Sequence, residues 1–333
     1  RDLRMSRGLG DVYKRQLFMR FEWVQYLLDV CRGKRELIDP YKAVNRLTAG
    51  NKFIYLNEDA NEILANHILS DKPEMICRFG TLELDTMRMM LKAKGRNPKY
   101  SKWHKDLFSN TAGFFPTDDS HMTRFACEQF EILKDVDVIA SRKDRYERNV
   151  VGQFLQHADI VDIDAISYPF FYENPWSKVL EGKRVLVINP FAETIKKQYQ
   201  KRDKLFKNQN VLPKFDLITY RPVQGIGHSK KSLKYQTWFE ALAAMKADIK
   251  EIDFDIAIIG AGAYGMFLAQ YVKSLGKKAV HMGGSTQLLF GISGKRWDNC
   301  FQDNFYNEYW TRPSHEETPD GVELFENGTM AYW

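Results

Sequence analysis

The segment from Asp255 to Gly265 joins a short apolar run to three closely spaced glycines. Ile256 to Ile259 predicts a buried strand, and the pattern Gly260-x-Gly262-x-x-Gly265 follows it at the start of a helical pattern. Backbone N–H groups at a helix N-terminus attract anions, and glycines allow a phosphate to approach the backbone closely. This order of elements predicts an α/β domain with the glycine strand at the centre of its sheet. The first hypothesis is therefore a dinucleotide-binding enzyme.

A dinucleotide site has a second requirement. An acidic residue ends the following strand, about twenty residues further on, and binds the ribose. Here the following predicted strand ends in His281-Met282-Gly283-Gly284-Ser285, which contains no acid. The glycine motif also lies late in the chain, with one further clear strand after it. We therefore expect no NAD, and interpret the glycines as a place where the backbone approaches a phosphate or as a tight turn without a ligand.

Predicted strands and helices alternate through the chain from Glu74 to Met282. This alternation predicts a Rossmann-like α/β fold, with a mainly parallel sheet covered by helices on both faces. The predicted strands lie at 75–77, 136–140, 160–163, 183–189, 216–220, 256–259 and 279–282, and predicted helices at 17–31, 57–69, 192–202 and 237–249 and from Gly265 to Leu275, with a further helix carrying Leu84, Met87 and Leu91.

The chain divides into three parts. Residues 1–16 hold five basic and two acidic side chains without hydrophobic periodicity, and are interpreted as a non-native leader. Residues 17–70 predict an N-terminal helical segment packed on the domain, and 71–333 a single α/β domain with an irregular C-terminal tail from Gly283. Residues 94–116 predict either a long loop that covers a site or an irregular helical insertion.

Composition excludes several classes of protein. The net charge of +6 includes +3 from residues 1–16, and the remainder gives no reason to propose nucleic acid. Four scattered cysteines have no metal-ligand spacing and indicate reduced thiols in a cytoplasmic protein. No apolar run approaches the length of a membrane span. Docking of helix 17–31 on a membrane surface remains open, although its mixed charges favour packing on the domain.

A second candidate site follows the strand that begins at Met75. Arg78 lies at the strand end, Gly80 predicts a turn, and Glu83 lies at the start of the next helix. In an open α/β sheet the loops after the strands face the ligand crevice. The pattern is equally compatible with an Arg78–Glu83 ion pair or with Glu83 stabilising the helix N-terminus.

The loop after the strand at 216–220 is basic and contains glycine. Its residues include Gln224, His228, Lys230 and Lys231. Such a loop is suited to binding phosphate oxygens, although a solvated connection between elements has the same composition.

The stretch Cys77-Arg78-Phe79-Gly80-Thr81-Leu82-Glu83-Leu84 resembles the Arg-Phe-Gly-Asp-Gly-Glu-Leu signature of the GT-D fold glycosyltransferases. The blocks from Gly182 to Phe191 and from His281 to Trp297, together with Leu212-Pro213 and Val223-Gln224, are similar to the same group. The resemblance implies a GT-D type fold and a bacterial enzyme of surface polysaccharide or glycoprotein synthesis. It implies a nucleoside-diphosphate sugar as donor and a glycan, lipid-linked molecule or protein as acceptor, with the enzyme in the cytoplasm or at the inner face of the membrane.

The resemblance also implies roles for individual residues. Glu83 takes the place of the signature glutamate, and Thr81 stands where the family has an aspartate. A single carboxylate leaves the coordination shell of a divalent Mn or Mg ion incomplete. Glu83 is therefore expected to bind a metal together with the diphosphate, or to act without metal as a base. Arg78 is expected to stabilise the departing diphosphate. The remaining candidate substrate-binding residues are Gly80, Thr81, Asn189, Gln224, His228, Lys230, Gly260, Gly262 and His281.

Two other classes remain open from the residues alone. One is a Rossmann-like enzyme that uses NAD(P) or S-adenosylmethionine at Gly260 to Gly265. The other is a non-catalytic nucleotide-sugar-binding protein, which the missing carboxylate at Thr81 suggests.

Overall fold

The computed structural model describes residues 52, 54–94, 96–143, 145–226, 233–301, 305–319, 321 and 331–333, with Arg145 described by its backbone alone. The leader at 1–16 and the predicted helix at 17–31 lie outside the described residues, as do His228, Lys230 and Lys231. The described part of the chain forms one sheet of eight parallel strands in the order β1-β4-β3-β2-β8-β7-β5-β6. The expected α/β fold with a parallel sheet is confirmed.

The strands are short and mostly apolar, and most of their residues are buried, except in the edge strand at 216–220. They are β1 (Ile54–Tyr55), β2 (Met75–Arg78), β3 (Val138–Ser141), β4 (Asp159–Asp162), β5 (Arg184–Ile188), β6 (Asp216–Tyr220), β7 (Ile256–Ile259) and β8 (Lys278–His281). The helices are α1 (Asn57–Leu69), α2 (Thr81–Ala93), α3 (Lys102–Ala112), α4 (Asp119–Ile132), α5 (Arg145–Phe154), α6 (Ile163–Ser167), α7 (Ala192–Tyr199), α8 (Arg202–Leu205), α9 (Trp238–Lys250), α10 (Gly265–Ser274), α11 (Thr286–Leu289) and α12 (Asp298–Phe301).

Helices cover both faces of the sheet, as a buried parallel sheet requires. Met87 of α2 and Phe267 of α10 belong to the core on one face. Leu64 of α1, Ile195 of α7 and Phe290 belong to the core on the other face. Side chains alternate along the strands, so that each strand from β2 to β8 contributes to both cores.

The glycine strand β7 does not lie at the centre of the sheet, contrary to the expectation. The two central strands are β2 and β8, and β7 is the next strand outward from β8. The reason is topological. Strands β1, β4 and β3 lie on one side of the central pair and β7, β5 and β6 on the other, because the chain builds β5, β6 and β7 away from β2 and then returns with β8 to pair with β2.

Residues 94–116 contain a regular helix, α3, rather than a long loop. Ser101 caps its N-terminus by accepting a hydrogen bond from the backbone N–H of His104. Phe108 and Phe114 anchor this segment in an aromatic cluster that includes Phe125 of α4. Of the two alternatives drawn from the sequence, the helical insertion is the one observed.

Several elements before the tail escaped the sequence prediction: the helices α4, α5, α6 and α8 and the two-residue edge strand β1. In the described part of the tail after Gly283, short turns of helix pack on the domain. None of the helices in the described part of the chain has the length and apolar character that crossing a bilayer requires.

Candidate active site

Two positions at the carboxyl edge of the sheet have loops that diverge to opposite faces. The loop after β5 leads to α7 on one face, and the loop after β7 leads to α10 on the other. The loops after β2 and β8 diverge in the same way, since α2 packs in one core and Met282 in the other. Ligands of open α/β sheets bind at such divergence points. The sequence motifs therefore fall at two distinct candidate sites.

Protein atoms fill the first position, between β5 and β7. The N–H of Gly260 donates to the Ile188 carbonyl at 2.8 Å. Asn189, which is buried, accepts from the N–H of Phe191 at 2.9 Å and donates to the Gly260 carbonyl at 3.4 Å. A Cβ at Gly260 would lie 2.7 Å from the Thr286 hydroxyl oxygen. Gly260 and Asn189 thus join segments of the fold, and their polar groups bond one another rather than facing an open crevice.

The other two glycines of the motif also pack against protein. Gly262 has a positive φ of 52° and faces the carbonyl oxygen of Ala112, which a Cβ would approach to 2.7 Å. A Cβ at Gly265 would overlap the imidazole of His281. The glycines therefore allow α3, β8 and the glycine turn to approach one another closely.

His281 is enclosed under this turn at the end of β8. Burial and the nearby charge of Arg78 together lower the pKa of the imidazole to about 3. The ring is therefore neutral at physiological pH. It lies between the glycine turn and the end of β2.

The second position, between β2 and β8, contains a cluster of cations. Arg78 ends β2, and its Nη1 donates to the Phe79 carbonyl at 3.0 Å. The guanidinium lies directly against the Cα of Gly283, where any Cβ would overlap it. Gly283 has a φ of 69°, which a glycine adopts without strain. Burial lowers the pKa of the Arg78 guanidinium, and the charges of Arg142 and Arg296 lower it further.

Arg142 extends from the end of β3 over the turn between β2 and α2. Its Nη1 donates to the Thr81 hydroxyl oxygen at 2.8 Å, and its Nη2 donates to the Phe79 carbonyl at 3.2 Å. Its backbone N–H donates to the buried carboxylate of Glu147 at 2.9 Å, and the Ser141 hydroxyl donates to the same oxygen at 3.1 Å. Glu147 thereby fixes the turn from which Arg142 projects.

Arg296 reaches the cluster from the C-terminal tail. Its Nη1 donates to the Tyr332 hydroxyl at 2.9 Å, and the Tyr332 ring lies against the Cα of Gly284. The backbone N–H of Arg296 donates to the Ala331 carbonyl, and buried Gln287 donates to the Tyr332 carbonyl at 3.1 Å. The tail is therefore positioned by specific hydrogen bonds beside the two glycines that follow β8.

Glu83 is the carboxylate closest to this cluster on α2. It is partly buried and folds back toward Gly80, the residue that precedes the helix, where a Cβ would overlap its carboxylate. A carboxylate at this position is stabilised by the positive end of the helix dipole. Its negative charge also favours the charged form of Arg78. Arg78, Gly80, Thr81, Glu83 and His281 are thus brought together around the two central strands.

The oxygens of this turn do not fit a divalent cation at Glu83. A hard cation takes about six oxygen ligands. The Phe79 carbonyl accepts from both Arg78 and Arg142, and the Thr81 hydroxyl oxygen accepts from Arg142. Within the described residues, no group of three or more His, Cys, Asp or Glu is arranged to bind a metal.

A second carboxylate lies at the same edge of the sheet, after β4. Burial and the adjacent charge of Asp162 raise the pKa of Asp164 to about 7, whereas Lys143 opposes the shift. Lys143 donates to Asp162 at 2.5 Å, and the buried Oδ1 of Asp164 has no hydrogen-bond partner among the described residues. Tyr168, itself buried, lies close enough for its pKa to rise through the Asp164 charge as well as through burial.

We expect Asp164→Asn to stabilise the protein more at pH 8 than at pH 5. The folded state raises the pKa of Asp164, so it binds the proton more tightly than the unfolded chain does. Its contribution to stability is present below about pH 4 and is lost as the pH rises toward 7, by about 1.4 kcal/mol per unit of pKa difference. Thermal unfolding at the two pH values measures this. Exposed Asp106→Asn is the control, and an equal change in Tm at both pH values would contradict the assignment.

The remaining predicted residues do not join the cluster. Gln224 follows β6, four strands away from β2, which corresponds to about 19 Å across the sheet at ~4.8 Å per strand. Asn189, Gly260 and Gly262 lie at the first position. The roles predicted for His228 and Lys230 remain predictions, since both residues lie outside the described part of the chain.

Sequence reasoning missed Arg142, Arg296, Tyr332 and Asp164 as site residues. A usable signal existed for Arg142, because it follows a predicted strand in the same manner as Arg78. Arg296 lies within the block from His281 to Trp297 singled out in the sequence, but no local pattern placed it or Tyr332 beside Arg78, since their positions depend on how an irregular tail folds back onto the domain.

The sequence matches no protein-family model and no curated protein. Among solved structures, it is similar to one of domain of unknown function 1792, at 12% identity and a TM-score of 0.42, over 86% of this chain and 94% of that chain. It is also similar to a glycosyltransferase of the same domain type from Streptococcus sanguinis, at 14% identity and a TM-score of 0.40, over 77% of this chain and 95% of that chain. Similarity at this level assigns no function to this chain.

Proposed function

We propose that this protein is a glycosyltransferase that moves a sugar from a nucleoside-diphosphate sugar to an acceptor hydroxyl. The observation that carries the proposal is the convergence of three arginines, Arg78, Arg142 and Arg296, at the divergence point between β2 and β8. They come from three separate parts of the chain. Guanidinium groups bind phosphate oxygens through paired hydrogen bonds, so a cluster of them fits a diphosphate.

The chemistry requires stabilisation of a leaving group. The bond between the sugar C1 and the donor phosphate oxygen breaks, and its electron pair passes to the nucleoside diphosphate. A new bond forms between C1 and the acceptor oxygen, while the acceptor proton passes to a base. Preorganised cations stabilise the charge that develops on the departing diphosphate. We assign that role to the three arginines and the role of base to Glu83.

The dinucleotide and S-adenosylmethionine alternatives depended on the glycine turn. That turn is packed against Asn189, Ala112 and His281, and the N–H of Gly260 bonds to Ile188. This arrangement supports a structural role for the glycines. It favours the arginine cluster as the ligand site.

A panel of ligands tests the proposal. Thermal unfolding is measured with nucleoside diphosphates, their sugar conjugates, NAD, NADP and S-adenosylmethionine. We expect stabilisation by one or more nucleoside diphosphates or their sugars. Stabilisation by NAD, NADP or S-adenosylmethionine alone would overturn the proposal.

Glu83→Gln separates an enzyme from a binding protein. We expect kcat for release of nucleoside diphosphate to fall at least a hundredfold, since a general base contributes about 10²–10⁴. The KM for the donor is expected to change little, because the arginines remain. Asp85→Asn is the matched control, since Asp85 lies on the same helix and pairs with Arg88. Undiminished turnover in Glu83→Gln would remove Glu83 from the chemistry.

The proposed setting follows from the same resemblance. The acceptor is proposed to be a glycan, a lipid-linked molecule or a protein of bacterial surface polysaccharide or glycoprotein synthesis. We propose that the enzyme acts in the cytoplasm or at the inner face of the membrane.

A further inference from the structure

We propose that Arg142 occupies the position of a divalent cation, and that this protein binds a nucleoside diphosphate without metal. The inference rests on the proposed function, since it concerns how the same crevice compensates the charge of the diphosphate. It is carried by the hydrogen bonds that Arg142 makes over the turn between β2 and α2.

The oxygens near Glu83 that could bind a cation already accept hydrogen bonds. A metal beside Glu83 would draw its protein ligands from the turn that precedes α2. Arg142 already donates to the Thr81 hydroxyl oxygen at 2.8 Å and to the Phe79 carbonyl at 3.2 Å. Arg78 donates to the same carbonyl at 3.0 Å. The hydrogen-bond donors of two guanidinium groups therefore occupy the oxygens of this turn.

Charge also favours a diphosphate over a metal at this position. Arg142 and Arg296 both lower the pKa of the Arg78 guanidinium by charge repulsion, whereas the carboxylate of Glu83 favours its charged form. The crevice is thus positive before any ligand enters, and the N-terminus of α2 adds further partial positive charge. A dication would be repelled by this field, whereas a diphosphate would be attracted by it. The cluster itself supplies the charge compensation that a metal otherwise provides.

Neighbouring residues hold each of the three arginines in place. Buried Glu147 accepts from the backbone N–H of Arg142, which fixes the turn after β3. Arg78 is held against Gly283, and Arg296 is bonded to Tyr332. Three guanidinium groups held by their own neighbours form a preorganised site, which is the arrangement that electrostatic stabilisation of a leaving group requires.

Binding of a panel of UDP, GDP, ADP and CDP to the full chain, measured by calorimetry with EDTA and again with manganese, tests the inference. We expect the affinity of the nucleotide that binds to differ by less than twofold between the two conditions. Arg142→Ala is expected to weaken binding in EDTA at least tenfold. Arg124→Ala, which alters an exposed pair with Glu128 on α4, is expected to leave binding unchanged.

A second variant reverses the proposed substitution. Combining Thr81→Asp with Arg142→Ser removes the guanidinium and provides a second carboxylate near Glu83. Its nucleotide binding is expected to be weak in EDTA and at least tenfold stronger with manganese. Manganese-dependent binding by the unaltered protein, or unchanged affinity of Arg142→Ala in EDTA, would overturn the inference while leaving the proposed function in place. Absence of nucleotide binding in both conditions would instead refute the proposed function.

Discussion

Arg78→Ala is expected to lower kcat/KM for the sugar donor at least a hundredfold while the protein remains folded. Arg78 lies at the end of a central strand, and the charges of Arg142 and Arg296 both act on its guanidinium. Removing one preorganised donor from an anion-stabilising site typically lowers the rate by about 10²–10³. A hundredfold loss corresponds to about 2.7 kcal/mol of transition-state stabilisation. Steady-state release of nucleoside diphosphate measures it.

Two comparisons make this result specific. Arg78→Lys keeps the charge and loses the planar pair of donors, so we expect activity between those of Arg78→Ala and the unaltered protein. Circular dichroism and the Tm show whether Arg78→Ala is folded. A folded Arg78→Ala protein with unchanged kcat/KM would contradict the assignment of Arg78 to the diphosphate.

Gly283→Ala is expected to weaken nucleotide binding at least tenfold, although Gly283 has no side chain to touch a ligand. A Cβ at this position would overlap the guanidinium of Arg78, which must then move away from its place between β2 and β8. The positive φ of 69° adds strain of roughly 1 kcal/mol or more to the folded state. Calorimetric titration with the nucleoside diphosphate that binds the unaltered protein measures the loss.

Gly276→Ala is the matched control for this effect. Gly276 has a φ of 77°, so an alanine there carries similar backbone strain, yet no atom lies within 4 Å of the Cβ position. We expect Gly276→Ala to lower the Tm and to leave nucleotide affinity unchanged. Equal losses of affinity in both variants would show that the effect arises from backbone strain and not from displacement of Arg78.

The sequence predicted the fold where a local pattern determined it. The strands at 216–220 and 256–259 and the helix at 57–69 were predicted with the bounds observed, because apolar runs and helical spacing define them. The order of the strands could not be read from such patterns. It depends on crossover connections between distant segments, which is why the glycine strand was placed at the centre of the sheet instead of β2 and β8.

The candidate site was partly predictable for the same reason. Arg78 and Glu83 could be found because strand, turn and helix are contiguous there. Arg142 lies 61 residues from the Thr81 hydroxyl that it binds. The position of Arg296 depends on the hydrogen bonds that Arg296 and Gln287 donate to the carbonyls of Ala331 and Tyr332. The glycine turn packs against Ala112, Asn189 and His281, which lie far from it in the sequence. No local sequence pattern predicts these contacts.

We place the ligand site between β2 and β8 and not at the glycine turn. A crystal structure with a bound nucleoside diphosphate tests this assignment most directly. We expect the diphosphate to lie between Arg78, Arg142 and Arg296, with phosphate oxygens within about 3 Å of guanidinium nitrogens. A diphosphate bound to the backbone of Gly260 to Gly262, with the arginines outside hydrogen-bonding distance, would contradict it.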